Sequence, residues 1–313
     1  MKLQQLRYLR EVWRRGLNVS EAAETLHTSQ PGISKQIRML EDELGVQILV
    51  RHGKRVVDVT EPGRMIIEIA GRMLDEADNL KKVGQEFGVE EGGGLSIATT
   101  HTQARYVLPA VVQRFIQRYP KVRLSLREGG PQQIAEIMSE GGADIAIITE
   151  SIGLFEDLVT LPCYQWNRGV ITPPKHPLAG EKQLTLEALA AYPIITYDFA
   201  FNADSPIKRA FDARGIQPNI ALTAVDADVI KTYVELGLGV GILAKMAFDP
   251  ARDLGLHLID ASHLFEASTT HIGLRRNTYL RGYVYEFIEM FAPHLTRAMV
   301  ERTQRGTGSD YEL

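Results

Sequence analysis

Two short stretches of this 313-residue sequence carry side chains spaced for binding chemistry. The first is Thr28-Ser29-Gln30-Pro31-Gly32-Ile33-Ser34-Lys35, with Arg38 shortly after. Gln30 and Ser34 offer hydrogen bonds to base edges, and Lys35 and Arg38 offer contacts to phosphate or guanine. The second is Thr99-Thr100-His101-Thr102-Gln103, which follows a short apolar run. Its hydroxyls and free amides suit either an anion or carboxylate ligand or a plain polar helix cap. Thr149 and Glu150 end another apolar run in the same way, and Glu150 would pair with an ammonium group or stay solvated. Trp166 reads as a pocket wall or as core, and Asn202 follows a further apolar run.

Bond-making chemistry finds little support. The eight histidines are dispersed, and His101 has no nucleophile–base partner nearby in sequence. Neither GxSxG, a Walker loop nor the dinucleotide glycine pattern occurs. The single cysteine, Cys163, excludes an intrachain disulfide framework and a multi-cysteine zinc site. An enzyme is therefore not expected, and neither is a cofactor or a metal.

The elements that must position the first stretch are helices. Leu3, Leu6, Leu9, Val12 and Trp13 recur at helical spacing, and Gly16 ends that run. Asn18 or Ser20 can cap a second helix, with Glu21 completing a capping box. Thr28 or Ser29 caps a third, where Pro31 is tolerated in the first turn and Ile33, Ile37, Leu40 and Leu44 form an apolar face. Pro31 and Gly32 thus start this helix and keep its end slim. Helix, turn and helix with a polar leading face is the helix-turn-helix pattern, whose second helix enters the major groove. Residues 50–60 alternate around Gly53 as a hairpin, with Arg51, Lys54 and Arg55 at its tip, beside a phosphate backbone or in a minor groove. The expected head is an all-α winged helix-turn-helix over residues 1–61.

Next comes a long helix, 62–91. Ile66, Met73, Leu80 and Phe87 recur every seven residues, so it either packs on its own domain or pairs with another copy; pairing is favoured. Gly92, Gly93 and Gly94 read as a flexible joint. From there strands and helices alternate: strands at 95–99, 122–126, 144–148, 169–172, 192–196 and 220–223, and helices at 107–119, 131–140, 206–214 and 227–236. Such parallel α/β sheets bind ligands outside the carboxyl ends of their strands, which selects the threonine stretch. The tail, 296–313, begins as a helix and ends in a composition that frays.

The net charge of −4 is uneven: residues 1–64 hold 11 Lys/Arg against 8 Asp/Glu. A mildly basic head on an acidic body fits a small nucleic-acid-binding module. No apolar run is long enough to span a bilayer and the N-terminus lacks a signal-peptide core, so a cytoplasmic protein is expected.

Ala22-Ala23, Leu26, Thr28 through Ser34, Ile37, Leu40-Glu41, Leu44-Gly45, Arg51 and Thr60-Glu61-Pro62-Gly63 together resemble the LysR-type transcriptional regulators. Residues 99–106 and 223–241 resemble the CysB group within that family. The resemblance covers the whole chain and implies a C-terminal effector domain of the periplasmic-binding-protein (type 2) kind, 92–295. Its first subdomain is expected at about 92–163 and 267–292, and its second at about 164–266. It further implies a homodimer or homotetramer binding promoter DNA and RNA polymerase, and an effector of the acetylserine, sulfate or thiosulfate class. In CysB-like regulators, residues matching Thr100, Thr102, Gln103, Thr149, Glu150 and Trp166 line the cleft. Asn202 stands where the pattern has threonine, and Asp204 adds a negative charge nearby, which leaves the effector open. Control of cysteine biosynthesis is expected, with alkanesulfonate or organosulfur use as the alternative. A solute-binding protein or an enzyme fits the head of the chain poorly.

Overall fold

Leu6, Leu9 and Val12 are buried on one face of the first helix, α1 (Leu3–Arg14), so the face bearing Arg7, Arg14 and Trp13 is left toward solvent. They pack on α2 (Val19–Thr25), where Ala22 and Ala23 permit a close crossing, and on α3 (Gln30–Leu44). A two-stranded antiparallel wing follows, β1 (Leu49–His52) and β2 (Arg55–Val59), its turn made by Gly53 at a φ of +63°. The computed structural model describes residues 1–53, 55–87, 92–149, 151–202 and 205–306.

The long helix α4 spans Glu61–Phe87 and starts at Thr60, whose hydroxyl accepts from the Gly63 amide at 3.0 Å. Its two stripes differ. Gly63, Ile67, Ala70 and Leu74 are buried against the first unit's core. Ile69, Met73, Leu80 and Phe87 are exposed, Leu80 at 73% and Phe87 at 81%. Ile66 is half-buried. The close of the expected linker, residues 88–91, and the tail from 307 lie outside the described residues. The chain divides into two compact units at Gly88/Val89.

The second unit holds two five-stranded sheets. One has the order β4-β3-β5-β12-β6, built from β3 (Gly93–Thr99), β4 (Val122–Glu128), β5 (Ile145–Ile148), β6 (Leu158–Trp166) and β12 (Ser268–Arg275). Strands β3, β4 and β5 run parallel, and β12 is antiparallel to β5 and β6. The other has the order β11-β7-β10-β8-β9, from β7 (Arg168–Thr172), β8 (Ile194–Tyr197), β9 (Ile220–Ala224), β10 (Val240–Ala244) and β11 (His257–Asp260). Helices cover both, among them α5 (Leu108–Arg118) and α6 (Pro131–Ser139) on the first, and α7 (Leu186–Ala190), α8 (Pro206–Ala213) and α9 (Ala227–Glu235) on the second. The chain returns to close the first subdomain with α10 (Gly282–Phe291) and α11 (Arg297–Gln304). Two crossings therefore join the subdomains. Because β6 stays in the first sheet through Trp166, the first crossing falls at Asn167 rather than after residue 163.

Two local expectations change. Gly93 and Gly94 are not a loose joint; they open β3 in register with Val122 and Arg123. A Cβ at Gly93 would lie 2.6 Å from Arg281 Nη1 and 2.7 Å from the Tyr283 hydroxyl, so a larger residue there would displace the ends of these two side chains. The helix expected from Val107 begins at His101 instead and includes a π-turn, Gln103–Val107. The Leu108 amide donates to Gln103 O, and Pro109 beside it has no amide to continue an α ladder.

Candidate functional site

In the first unit, Ser29 caps α3, its Oγ accepting from the Gly32 amide at 3.2 Å. Burial of Ile33, Ile37 and Leu40 turns the opposite face of α3 outward. Gln30, Pro31, Lys35 and Arg38 are exposed with Ser29, while Thr28 and Ser34 are half-buried. Among the described residues no ion pair engages Lys35 or Arg38, so both charges remain available. On the wing, Arg55 is exposed, and Lys54 lies outside the described residues.

Arg51 departs from the expectation. Its Nη2 lies 2.8 Å from Glu41 Oε2 and its Nη1 donates to Glu41 Oε1 at 3.1 Å. Glu41 also accepts from the Ile48 and Leu49 amides at 2.9 and 3.0 Å. Arg51 is therefore committed to neutralising a buried carboxylate at the root of the wing rather than to phosphate. Glu41 occupies the inward position expected of Leu44, which is 42% exposed. Burial pushes the Glu41 pKa up, but the hydrogen bonds from Arg51, Leu49 and Ile48 outweigh this and hold it below the usual value.

In the second unit, Gln103 opens the π-turn after β3. Gln103 is buried; its Nε2 donates to Thr270 Oγ1 at 3.3 Å and its Oε1 accepts from the Tyr164 hydroxyl. Thr149 Oγ1 lies 3.4 Å from the same Thr270 hydroxyl. Thr102 Oγ1 lies 3.4 Å from the Tyr197 hydroxyl, which reaches over from β8 of the other sheet. Thr100 is half-buried, and its carbonyl accepts from the Ala104 amide at 3.0 Å. Burial raises the pKa of both Tyr164 and Tyr197; Tyr164 donates to Gln103, and the Tyr197 hydroxyl accepts from the Ala244 amide at 3.3 Å. The cluster thus joins hydroxyl and amide groups, the equipment for orienting an oxoanion by hydrogen bonds alone.

Trp166 ends β6 at the crossing, with the Arg168 guanidinium 5.0 Å from its ring centroid. Its indole Nε1 is buried and has no hydrogen-bond partner among the described residues. Glu150 and Asp204 lie outside the described residues. A cavity of ≈ 570 Å³ opens between the subdomains, lined by Gln132 and Gln133 at the start of α6, by Ser151 and Leu154, and by Asp198, Phe199, Asn202 and Val225 across from them. Of the positions chosen from sequence, Asn202 alone among the described residues lines this cavity; Thr100, Thr102, Gln103, Thr149 and Trp166 are not among its walls. Thr270, Tyr164 and Tyr197 were not singled out from sequence. No local pattern marks them, because they come from strands brought together only by the return of the chain as β12 and by the facing sheet.

Comparison with known proteins agrees with this division. Residues 3–64 match the model described as "Bacterial regulatory helix-turn-helix protein, lysR family", and residues 89–296 match the "LysR substrate binding domain". The chain is 53% identical over 300 residues to the HTH-type transcriptional regulator SsuR of Burkholderia cenocepacia, covering 96% of this chain and 97% of that one. It is 51% identical over 313 residues to the regulator CysB of the same organism, covering 100% of both. The crystal structure of the cofactor-binding domain of the Cbl transcriptional regulator superposes with a TM-score of 0.64 at 42% identity, covering 67% of this chain and 92% of that one.

Proposed function

Because the chain belongs to the LysR family of bacterial transcriptional regulators, in its CysB-like branch, we propose how its parts divide the work of controlling sulfur assimilation. Members of this family bind promoter DNA, take a small-molecule effector and oligomerise; they are regulators, not enzymes. Here Gln30, Pro31, Ser34, Lys35 and Arg38 meet the major groove, with Thr28 and Ser29 at the helix entry and Lys54 and Arg55 on the flanking backbone. An effector of the acetylserine, sulfate or thiosulfate class binds at Thr100, Thr102, Gln103 and Thr149, with Glu150, Trp166 and Asn202 at its margins. The exposed Ile69, Met73, Leu80 and Phe87 stripe of α4 pairs copies of the chain into a homodimer or homotetramer. RNA polymerase is the partner on the promoter, and the cytoplasm is the place of action.

One observation carries the reading: a single chain joins an unencumbered cationic helix face to a cluster of hydroxyl and amide groups around Thr102, Gln103, Thr149 and Thr270. The test is binding of the full chain to promoter fragments of sulfur-uptake genes, with and without acetylserine, sulfate and thiosulfate. A complex altered by one of them and not by a dicarboxylate supports the reading. Tight DNA binding indifferent to every sulfur compound removes the effector class and leaves the regulator.

A second reading, control of alkanesulfonate or organosulfur use, has its own support. The ≈ 570 Å³ cavity is larger than a bare tetrahedral oxoanion needs, and Leu154, Phe199 and Val225 give it apolar walls. That lining suits an anion carrying a carbon substituent.

A further inference from the structure

The π-turn Gln103–Val107 carries side chains committed to both subdomains. Gln103 points into the first, bonded to Thr270 on β12 and Tyr164 on β6. Tyr106, three residues on, points into the second: its ring packs against that subdomain's apolar core. Its hydroxyl donates to Asp228 of α9 and accepts from Lys231 Nζ at 3.1 Å. Lys231 Nζ also lies 4.9 Å from the Tyr106 ring centroid and 2.8 Å from the half-buried Asp253 carboxylate. Arg105 pairs with Asp228 as well. His101 adds a weaker tie, its Nδ1 2.7 Å from Glu128 of the first subdomain and its Nε2 3.8 Å from Asp228 of the second.

We propose that Tyr106 is a positioning residue that pins the π-turn to α9, so that the setting of Gln103 and the packing of α9 form one coupled variable. A π-turn has one residue more per hydrogen-bonded ring than an α turn, and interconversion rotates the residues on either side relative to one another. Gln103 and Tyr106 cannot both keep their partners through such a change. A displacement of Gln103 is therefore felt at α9, which Gln103 itself does not touch through any hydrogen bond. If an effector takes a hydrogen bond from Gln103, as in the function proposed above, the signal reaches the second subdomain by this route. The coupling itself exists without ligand and is tested without one.

Amide hydrogen exchange of the full, ligand-free chain reads it at residues 227–235. Tyr106→Phe removes the hydroxyl from a charged partner and is expected to speed exchange there about tenfold. Gln103→Leu is expected to produce a comparable increase at the same amides, and the double variant no further increase, because the two changes break opposite ends of one linkage through the π-turn. A purely structural Tyr106 would loosen α9 in Tyr106→Phe but leave it unmoved in Gln103→Leu, and that result would overturn the proposal. Fully additive effects in the double variant would overturn it too. Should Gln103→Leu fail to fold, Tyr164→Phe removes only the hydroxyl that Gln103 accepts from and is read in the same way. Because no ligand enters the experiment, failure here is separate from failure of the sulfur-effector reading.

Discussion

Two arginines or lysines of similar sequence context have different work once their partners are known. Lys35 stands free on the leading face of α3, whereas Arg51 is locked to Glu41. Lys35→Ala is expected to leave the melting of the first unit unchanged and to weaken binding to all DNA sequences. The slope of log affinity against log salt should then shrink by about 0.9. Arg51→Ala should do the reverse, costing stability before it costs DNA contacts. Glu41→Ala, which leaves the guanidinium and two wing amides without their acceptor, is expected to destabilise the first unit by on the order of 3 kcal/mol in chemical denaturation. The sign with pH follows from the direction of the shift. The folded-state pKa of Glu41 lies below its ordinary value of 4.5, so its contribution is complete above that value and is lost as pH falls through the folded pKa. Acid titration of the first unit's unfolding should show this loss in the wild type and not in Glu41→Gln. The Arg51 role was illegible in sequence because a basic residue at a hairpin reads as a surface charge unless its buried partner, ten residues earlier, is known to face inward.

At the scale of elements, α4 shows how one helix serves two surfaces. Leu74 is 1% exposed in the core of its own unit, while Leu80, later in the same helix, is 73% exposed. Leu74→Ala is expected to cost about 3 kcal/mol of stability through the cavity it leaves. Leu80→Asp should leave the secondary structure intact and shift sedimentation toward the smaller species; an unchanged sedimentation coefficient would count against pairing through this stripe. The heptad spacing of Ile66, Met73, Leu80 and Phe87 was plain in the sequence, but the inward stripe at Gly63, Ile67, Ala70 and Leu74 was not singled out, because Gly63 and Ala70 carry little pattern weight between Ile67 and Leu74. The winged head was legible almost element by element, since caps, turns and apolar faces are local signals. The π-turn was not: the sequence led to a helix expected from Val107, while the helix in fact begins at His101 and absorbs the amide missing at Pro109 by widening. The glycine run at 92–94 misled in the same manner, because the close approach of Arg281 and Tyr283 comes from a segment far along the chain.

For the whole molecule, the alternation of strands and helices disclosed an α/β architecture, the family resemblance implied its two subdomains, and the rule that ligands bind at strand ends selected Thr102, Gln103 and Thr149. What the sequence concealed was the company those residues keep. Thr270 and Tyr164 complete the hydroxyl cluster only because β12 returns between β5 and β6, and Tyr197 reaches it only from the facing sheet. Control of the cleft by a sulfur metabolite is the central claim, and calorimetric titration of the full chain tests it most directly. Acetylserine, sulfate, thiosulfate, an alkanesulfonate and an unrelated dicarboxylate would each be titrated into the wild type and into Thr102→Ala. The account predicts saturable binding of one sulfur compound, weakened about tenfold in Thr102→Ala by loss of one hydrogen bond to a charged ligand, with DNA binding by the variant intact. Binding of the dicarboxylate alone, or a sulfur compound bound equally well by Thr102→Ala, would contradict it.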